Sequence, residues 1–133
     1  MMSIEANKQL VRDTWGAVTK GDIEGFMSRL ADDVTWTFFG SHCFAGTFRG
    51  KDELVAKLFA PLGAVLADGI KVHPDTLTAE GDRVVMEARG EARTKDGRPY
   101  NNNYCIVITV RDGKVAQVRE YLDAELVTSI FGK

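Results

Sequence analysis

The second half of the chain is punctuated at near-regular intervals by Glu80-Gly81-Asp82, Asp96-Gly97 and Asp112-Gly113, each set between runs rich in Val, Ile, Thr and aromatic residues. Asp-Gly accepts the positive φ of a tight hairpin turn. Flanked by alternating apolar residues, it is among the strongest short-range hairpin signals. The spacing predicts four strands, over 70–78, 83–94, 99–111 and 114–123, joined as an antiparallel meander. Such a sheet buries one face, so other parts of the chain must cover it.

The first half supplies that cover. Leu10, Val11, Thr14, Trp15, Ala17 and Val18 follow the spacing of one helix face, and Lys20-Gly21 stops the pattern. Asp22 is placed to N-cap a short second helix bearing Ile23, Phe26, Met27 and Leu30, which Ala31-Asp32-Asp33 ends. Val34, Trp36 and Phe38 alternate with Thr35, Thr37 and Phe39 as a strand does, and residues 40–50, with three glycines, read as a loop. A third helix starts near Lys51, with Asp52 and Glu53 against its positive end, and Pro61 ends or kinks it. A last short helix spans 124–131. Helices first and a meander after them predict an α+β fold. At 133 residues it is read as one domain, 1–133. A curved sheet under three helices makes a cone-shaped α+β barrel whose mouth suits a small molecule.

Charge narrows the function classes. There are 17 basic and 19 acidic side chains, and no run of five like charges, so the basic stripe of a nucleic-acid binder is missing. No apolar stretch approaches the ~18 residues of a membrane helix. The opening MMSIEANKQLVRD lacks the apolar centre of a signal peptide, which predicts a cytoplasmic protein. Two cysteines without CxxC or HxxxH spacing argue against a disulfide framework or a thiolate metal site. Neither a metal nor an organic cofactor is expected.

Register decides which side chains face inward, because a one-residue slip inverts them all. A three-residue turn at Arg111-Asp112-Gly113 pairs Val110 with Lys114, Ile106 with Val118, Tyr104 with Glu120 and Asn102 with Leu122. This separates an apolar face from a polar one. Glu120 then lies on the apolar face between Val118 and Leu122. A carboxylate losing hydration there has its pKa raised toward the range useful to a general acid or base. The alternative is a strand-end Glu reaching water or an Arg. A two-residue turn at Asp96-Gly97 pairs Arg89 with Tyr104 and Glu87 with Ile106, bringing Glu87, Arg89 and Glu91 to the face of Glu120. The same Glu-x-Arg-x-Glu pattern also describes a solvated cross-strand ladder. Trp36 and Phe38 share a face and are expected to wall the cone. Asn102 and Tyr104 offer an amide and a hydroxyl to a ligand oxygen. His42, in the glycine-rich loop, is expected near the mouth as a proton carrier. Tyr121 and Asp123 fall on the opposite face.

The stretches DDVTW, AGTFRGKDEL and GRPYNNNYCIVITVRDGKVAQVREYLD resemble those of SnoaL-like proteins of the NTF2-like superfamily. Its relatives include ketosteroid isomerases, polyketide cyclases and limonene epoxide hydrolases, and the resemblance spans nearly the whole chain. It implies the cone fold, an apolar or polycyclic oxygen-bearing ligand, and cofactor-free isomerase, cyclase or hydrolase chemistry. Glu120 matches the water-activating aspartate of the epoxide hydrolases and the acid–base aspartate of the cyclases. The hydrolases' Arg and second Asp match Glu87 and Arg89, with the chemical types exchanged. Their water-holding Tyr and Asn match Trp36 and Phe38, so both water holders are missing. The isomerase base falls near Thr37, without an acid. The catalytic set implied is Glu120 with Glu87 and Arg89, and their places on the expected inner face and at the mouth put Trp36, Phe38, His42, Asn102, Tyr104, Val118 and Leu122 around the ligand. In this fold the outer sheet face often packs on a second subunit, so a homodimer is expected. The alternatives are a non-catalytic small-molecule binder and a dimeric interaction module with a filled interior.

Overall fold

A computed structural model describes residues 3–133. Met1 and Met2, part of the expected domain and of the N-terminal stretch, lie outside the described residues. Helix α1 (Ile4–Lys20) is capped by Ser3, whose Oγ accepts from the Ala6 N–H at 3.1 Å. It stops at Gly21, where φ is 75°, a left-handed conformation that glycine adopts without strain. Val11, Thr14 and Trp15 form its buried face. Helix α2 (Ile23–Ser28) is capped by the Asp22 carboxylate, which accepts from Gly25 N–H at 2.9 Å.

Strand β1 (Leu30–Phe38) begins four residues earlier than its alternation indicates. Leu30, expected on the helix, is drawn into the sheet because it pairs with Val115 and is buried there. Inside the expected 40–50 loop, β2 (Gly46–Arg49) pairs antiparallel with β1, and Thr37 and Thr47 share a hydroxyl hydrogen bond of 2.9 Å.

The third helical region is continuous across Pro61. Helix α3 (Lys51–Leu54) passes into a π-helical turn (Val55–Phe59) and then α4 (Ala60–Val65). The Ala60 N–H reaches back to the Val55 carbonyl, and Pro61 falls in the first turn of α4, where its missing N–H interrupts the hydrogen-bond ladder without ending the helical region. Strands β3 (Leu66–Glu80), β4 (Arg83–Thr94), β5 (Asn103–Arg111) and β6 (Lys114–Leu122) form the meander, and α5 (Ala124–Phe131) closes the chain under an Asp123 cap. The sheet order is β2-β1-β6-β5-β4-β3, antiparallel except where β1 runs parallel to β6. Its concave face buries Val84, Met86, Ile106, Ile108 and Val118 beneath α1 and the α3–α4 region. This is a cone-shaped α+β fold. No helix among the described residues is long and apolar enough to cross a membrane.

The two Asp-Gly turns differ from expectation in opposite senses. Arg111 pairs with Lys114, so Asp112-Gly113 is a two-residue turn with φ of 53° and 72°. A bulge at Ala116 then shifts the register: Val110 pairs with Val115 but Thr109 with Gln117. The extra residue restores the expected parity. Ile106 therefore pairs with Glu120, and Tyr104 with Leu122, two residues from the expected partners but on the expected face. Around Asp96-Gly97 the turn is instead the three-residue one. Thr94 N–H bonds the Arg98 carbonyl at 2.8 Å, with Gly97 at φ 94°. Arg93 then faces Pro99, Arg89 faces Asn103 and Glu87 faces Cys105, a slip of one residue that turns Glu87, Arg89 and Glu91 outward.

Candidate functional site

Parity set by the Ala116 bulge brings the Glu120 side chain to the concave face, where only 6% of the residue is exposed. Beside it on β1, Trp36 donates its indole N–H to Glu120 Oε1 at 3.2 Å. The indole is fixed by rings on several sides: Trp15 at 5.9 Å, Phe26 at 6.0 Å, Phe59 at 6.2 Å and the stacked Phe38 at 6.5 Å. Burial pushes the Glu120 carboxyl up to about 8, against the smaller opposing pull of the Trp36 hydrogen bond.

Glu120 lines a cavity of about 90 Å³ whose other walls include Trp15, Phe26, Trp36, Phe38, Phe59 and Tyr104. Among the described residues no other carboxylate lines it. Besides Glu120 and the two indoles, the other residue at the wall with a polar group is Tyr104. Burial, then the nearby Tyr100 and Glu120, push that phenol far above its ordinary value. Chemically the cavity offers an apolar, aromatic box with one acid that is protonated at neutral pH. Such an acid donates a hydrogen bond or a proton to a ligand oxygen, and above about pH 8 its carboxylate accepts one.

The expected site residues separate into groups. Trp36, Phe38, Tyr104 and Glu120 come together around the cavity. Val118 is fully buried and Leu122 half-buried, both in the core and off the cavity wall. Asn102 is buried, yet its amide is spent internally. Nδ2 donates to the Tyr100 hydroxyl (3.1 Å) and the Asp123 carbonyl (3.2 Å), and Oδ1 accepts from the N–H of Asn103 (2.7 Å) and Asp123 (3.0 Å). It clamps the start of β5 to the end of β6 and keeps no bond for a ligand. His42, expected at the mouth, is buried instead. Its Nδ1 accepts from the Phe44 N–H at 3.1 Å and its ring stands edge-on to Phe38 at 6.0 Å, off the cavity wall.

Glu87 and Arg89 are corrected in position. Both lie on the convex face, where Arg89 Nε donates to both Asp75 oxygens (3.0 and 3.1 Å) and Thr76 donates to Glu87 (3.0 Å). His73 and Glu91 pair beside them at 3.1 Å. This is a solvated cross-strand ladder, and the one-residue slip of the β4–β5 turn is its cause. Trp15 and Phe26 appear in the sequence as helix-core positions and Phe59 lies in the third helical stretch, with no spacing signal to separate cavity wall from packed core. Tyr100, which interacts with Tyr104, lies in the GRPYNNNY stretch but has no spacing that points to the cavity.

The sequence model of the SnoaL-like domain matches residues 11–118. An uncharacterised protein of Mycobacterium tuberculosis is 28% identical over 98% of each chain. The crystal structure of an NTF2-like protein from Burkholderia xenovorans is 30% identical, covering 98% of this chain and 99% of its own, with a TM-score of 0.79. An LEH-like epoxide hydrolase from M. tuberculosis shares the fold at 19% identity, over 96% of this chain and 90% of its own, with a TM-score of 0.74. With its helices, its curved sheet and four-fifths of its length matching, the chain belongs to the SnoaL-like domain family of the NTF2-like superfamily.

Proposed function

We propose that the protein binds a small apolar molecule carrying an oxygen in the Glu120 cavity and acts on it by cofactor-free acid–base chemistry of the isomerase, cyclase or hydrolase kind. The observation that carries this reading is a lone buried carboxyl, held by one indole N–H, on the wall of an otherwise aromatic cavity. A carboxyl kept neutral at pH 7 by an apolar site is one of the ways a fold performs acid–base work without a metal. The available space limits the ligand. A cavity of about 150 Å³ holds benzene, and this one is about 90 Å³. Even a one-ring ligand therefore requires wall side chains such as Phe59 and Leu62, contributed by the helical region around the π turn, to move aside, and a polycyclic one requires more. Glu87 and Arg89 have no part in the reading.

The test begins with mass spectrometry of the native protein to identify a co-purified compound. Turnover and binding of that compound are then followed against pH in the wild type and in Glu120→Gln. A transition near pH 8 that the variant lacks supports acid–base chemistry. A transition in binding without turnover supports the non-catalytic binder. Identical profiles in both proteins overturn the assignment. A homodimer through the convex face accompanies this reading. Tyr121, 42% exposed, stacks on Phe39 at 4.6 Å there, with the Arg119 guanidinium 5.2 Å from the Phe39 ring. Sedimentation of the wild type against Tyr121→Glu tests it: a monomeric wild type rules the dimer out.

A further inference from the structure

Gly90 stands in the interior of β4, paired with Val72, with a backbone that any residue adopts. No turn or positive φ requires a glycine there. Glycine weakens a strand interior, and its use there commonly marks a close approach by another group. The approaching group is the Tyr104 phenol. A Cβ at position 90 would stand 2.6 Å from Tyr104 Cε2, 3.0 Å from its hydroxyl oxygen and 3.2 Å from Cζ. Tyr104 lies opposite Ala88 in the register, so its ring leans along β4 and covers Gly90. Behind it, the Tyr100 hydroxyl accepts from Asn102 Nδ2 at 3.1 Å, and the two phenols also interact directly. Both phenols are within electrostatic reach of Glu120.

We propose that Gly90 is a positioning residue: the side chain it lacks makes the seat that holds the Tyr104 hydroxyl on the cavity wall beside Glu120, with Tyr100 as the back of that seat. The inference rests on the cavity being a ligand site, and it names the feature recognised. A ligand oxygen meets two proton-bearing groups, the Glu120 carboxyl and the Tyr104 hydroxyl, and the place of the second is set by Gly90. The atoms that a side chain at 90 would strike belong to the far end of Tyr104. A substitution therefore relocates the hydroxyl rather than the strand.

The test uses two readouts on Gly90→Ala. The first needs no ligand. Protein labelled with [13Cζ]tyrosine gives three signals, from Tyr100, Tyr104 and Tyr121, assigned with Tyr104→Phe and Tyr100→Phe. The Tyr104 and Tyr100 signals move in Gly90→Ala while that of the exposed Tyr121 stays. The second readout compares phenol with toluene, which differ by a hydroxyl in place of a methyl, followed by the fluorescence of Trp15 and Trp36 on the cavity wall. In the wild type the Tyr104 hydrogen bond raises the phenol-to-toluene affinity ratio by roughly tenfold, the worth of one good hydrogen bond. Gly90→Ala and Tyr104→Phe each lower that ratio by roughly tenfold while changing toluene affinity less than about threefold. A folded Gly90→Ala whose Tyr104 signal is unmoved overturns the seat, even if phenol binds. Wild type that binds neither probe, with tyrosine signals that still move, overturns the recognition role and the cavity reading but leaves the packing. Should Gly90→Ala fail to fold, Gly90→Ala combined with Tyr104→Leu removes the obstructing ring. Recovery of the fold supports the seat, and continued failure overturns it.

Discussion

The two faces of the sheet carry the same kinds of side chain and put them to different ends. On the concave face Glu120 is almost fully buried, has Trp36 as its donor, and is pushed up to about 8 by burial. On the convex face Glu91, with 63% of its side chain exposed, is held below the ordinary carboxylate value by the His73 hydrogen bond and by Lys71. Arg89 and Glu87 likewise spend themselves on Asp75 and Thr76 at the surface. One strand position separates an outward ladder from an inward acid. The lesson is that protonation state follows from what a face packs against, and residue type alone leaves it open.

The comparison can be broken in several places. The largest effect is expected from Trp36→Ala, which removes the ring at the centre of the aromatic cluster and the donor to Glu120. It should cost about 3–5 kcal/mol of stability in urea denaturation, and a loss below about 1 kcal/mol would mean the concave face is not the packed one. Next comes the pH dependence of stability. Glu120 keeps its proton in the fold up to about 8, against an ordinary value of 4.5. Its site is therefore fully favourable below the ordinary carboxylate range, and stability declines as pH climbs from there toward 8, by at most about 1.4 kcal/mol per pH unit. In Glu120→Gln that decline should vanish, as denaturation at several pH values would reveal. A smaller effect is expected from Trp36→Phe, which keeps a ring but removes the N–H. The Glu120 carboxyl should then titrate higher still, followed by carbon NMR of the labelled glutamates. Smallest of all, Glu87→Gln and Arg89→Gln should leave the denaturation midpoint within error and the pH dependence intact. A change in that dependence would return the convex ladder to the site.

Much of the meander was legible because Asp-Gly turns and alternation are local. Strands β4 and β6 and helix α5 fall where spacing places them, within a residue at β6. The number of residues in each turn was not legible. Asp112-Gly113 and Asp96-Gly97 look alike in the chain, yet one closes with two residues and a bulge and the other with three. The inward placement of Glu120 survived because Ala116 bulges and restores parity. The inward placement of Glu87 and Arg89 failed because nothing in β4 compensates the slip. Strand β2 escaped notice because Gly40, Gly46 and Gly50 read as loop, while its pairing partner β1 lies outside any local window.

By itself the sequence determined the order of helices and strands, their chemistry as alternating faces, and the presence of an acid on an apolar stripe, because these follow from neighbours a few residues apart. Only the tertiary structure decided that Trp36 meets Glu120 across 84 residues, that His42 is buried behind Phe38, that Asn102 is a clamp, and that Tyr104 rests on Gly90. Those contacts depend on strand register and on rings packing from separate helices. Both are settled by the closure of the whole core, where one residue of slip moves a side chain from water into the interior.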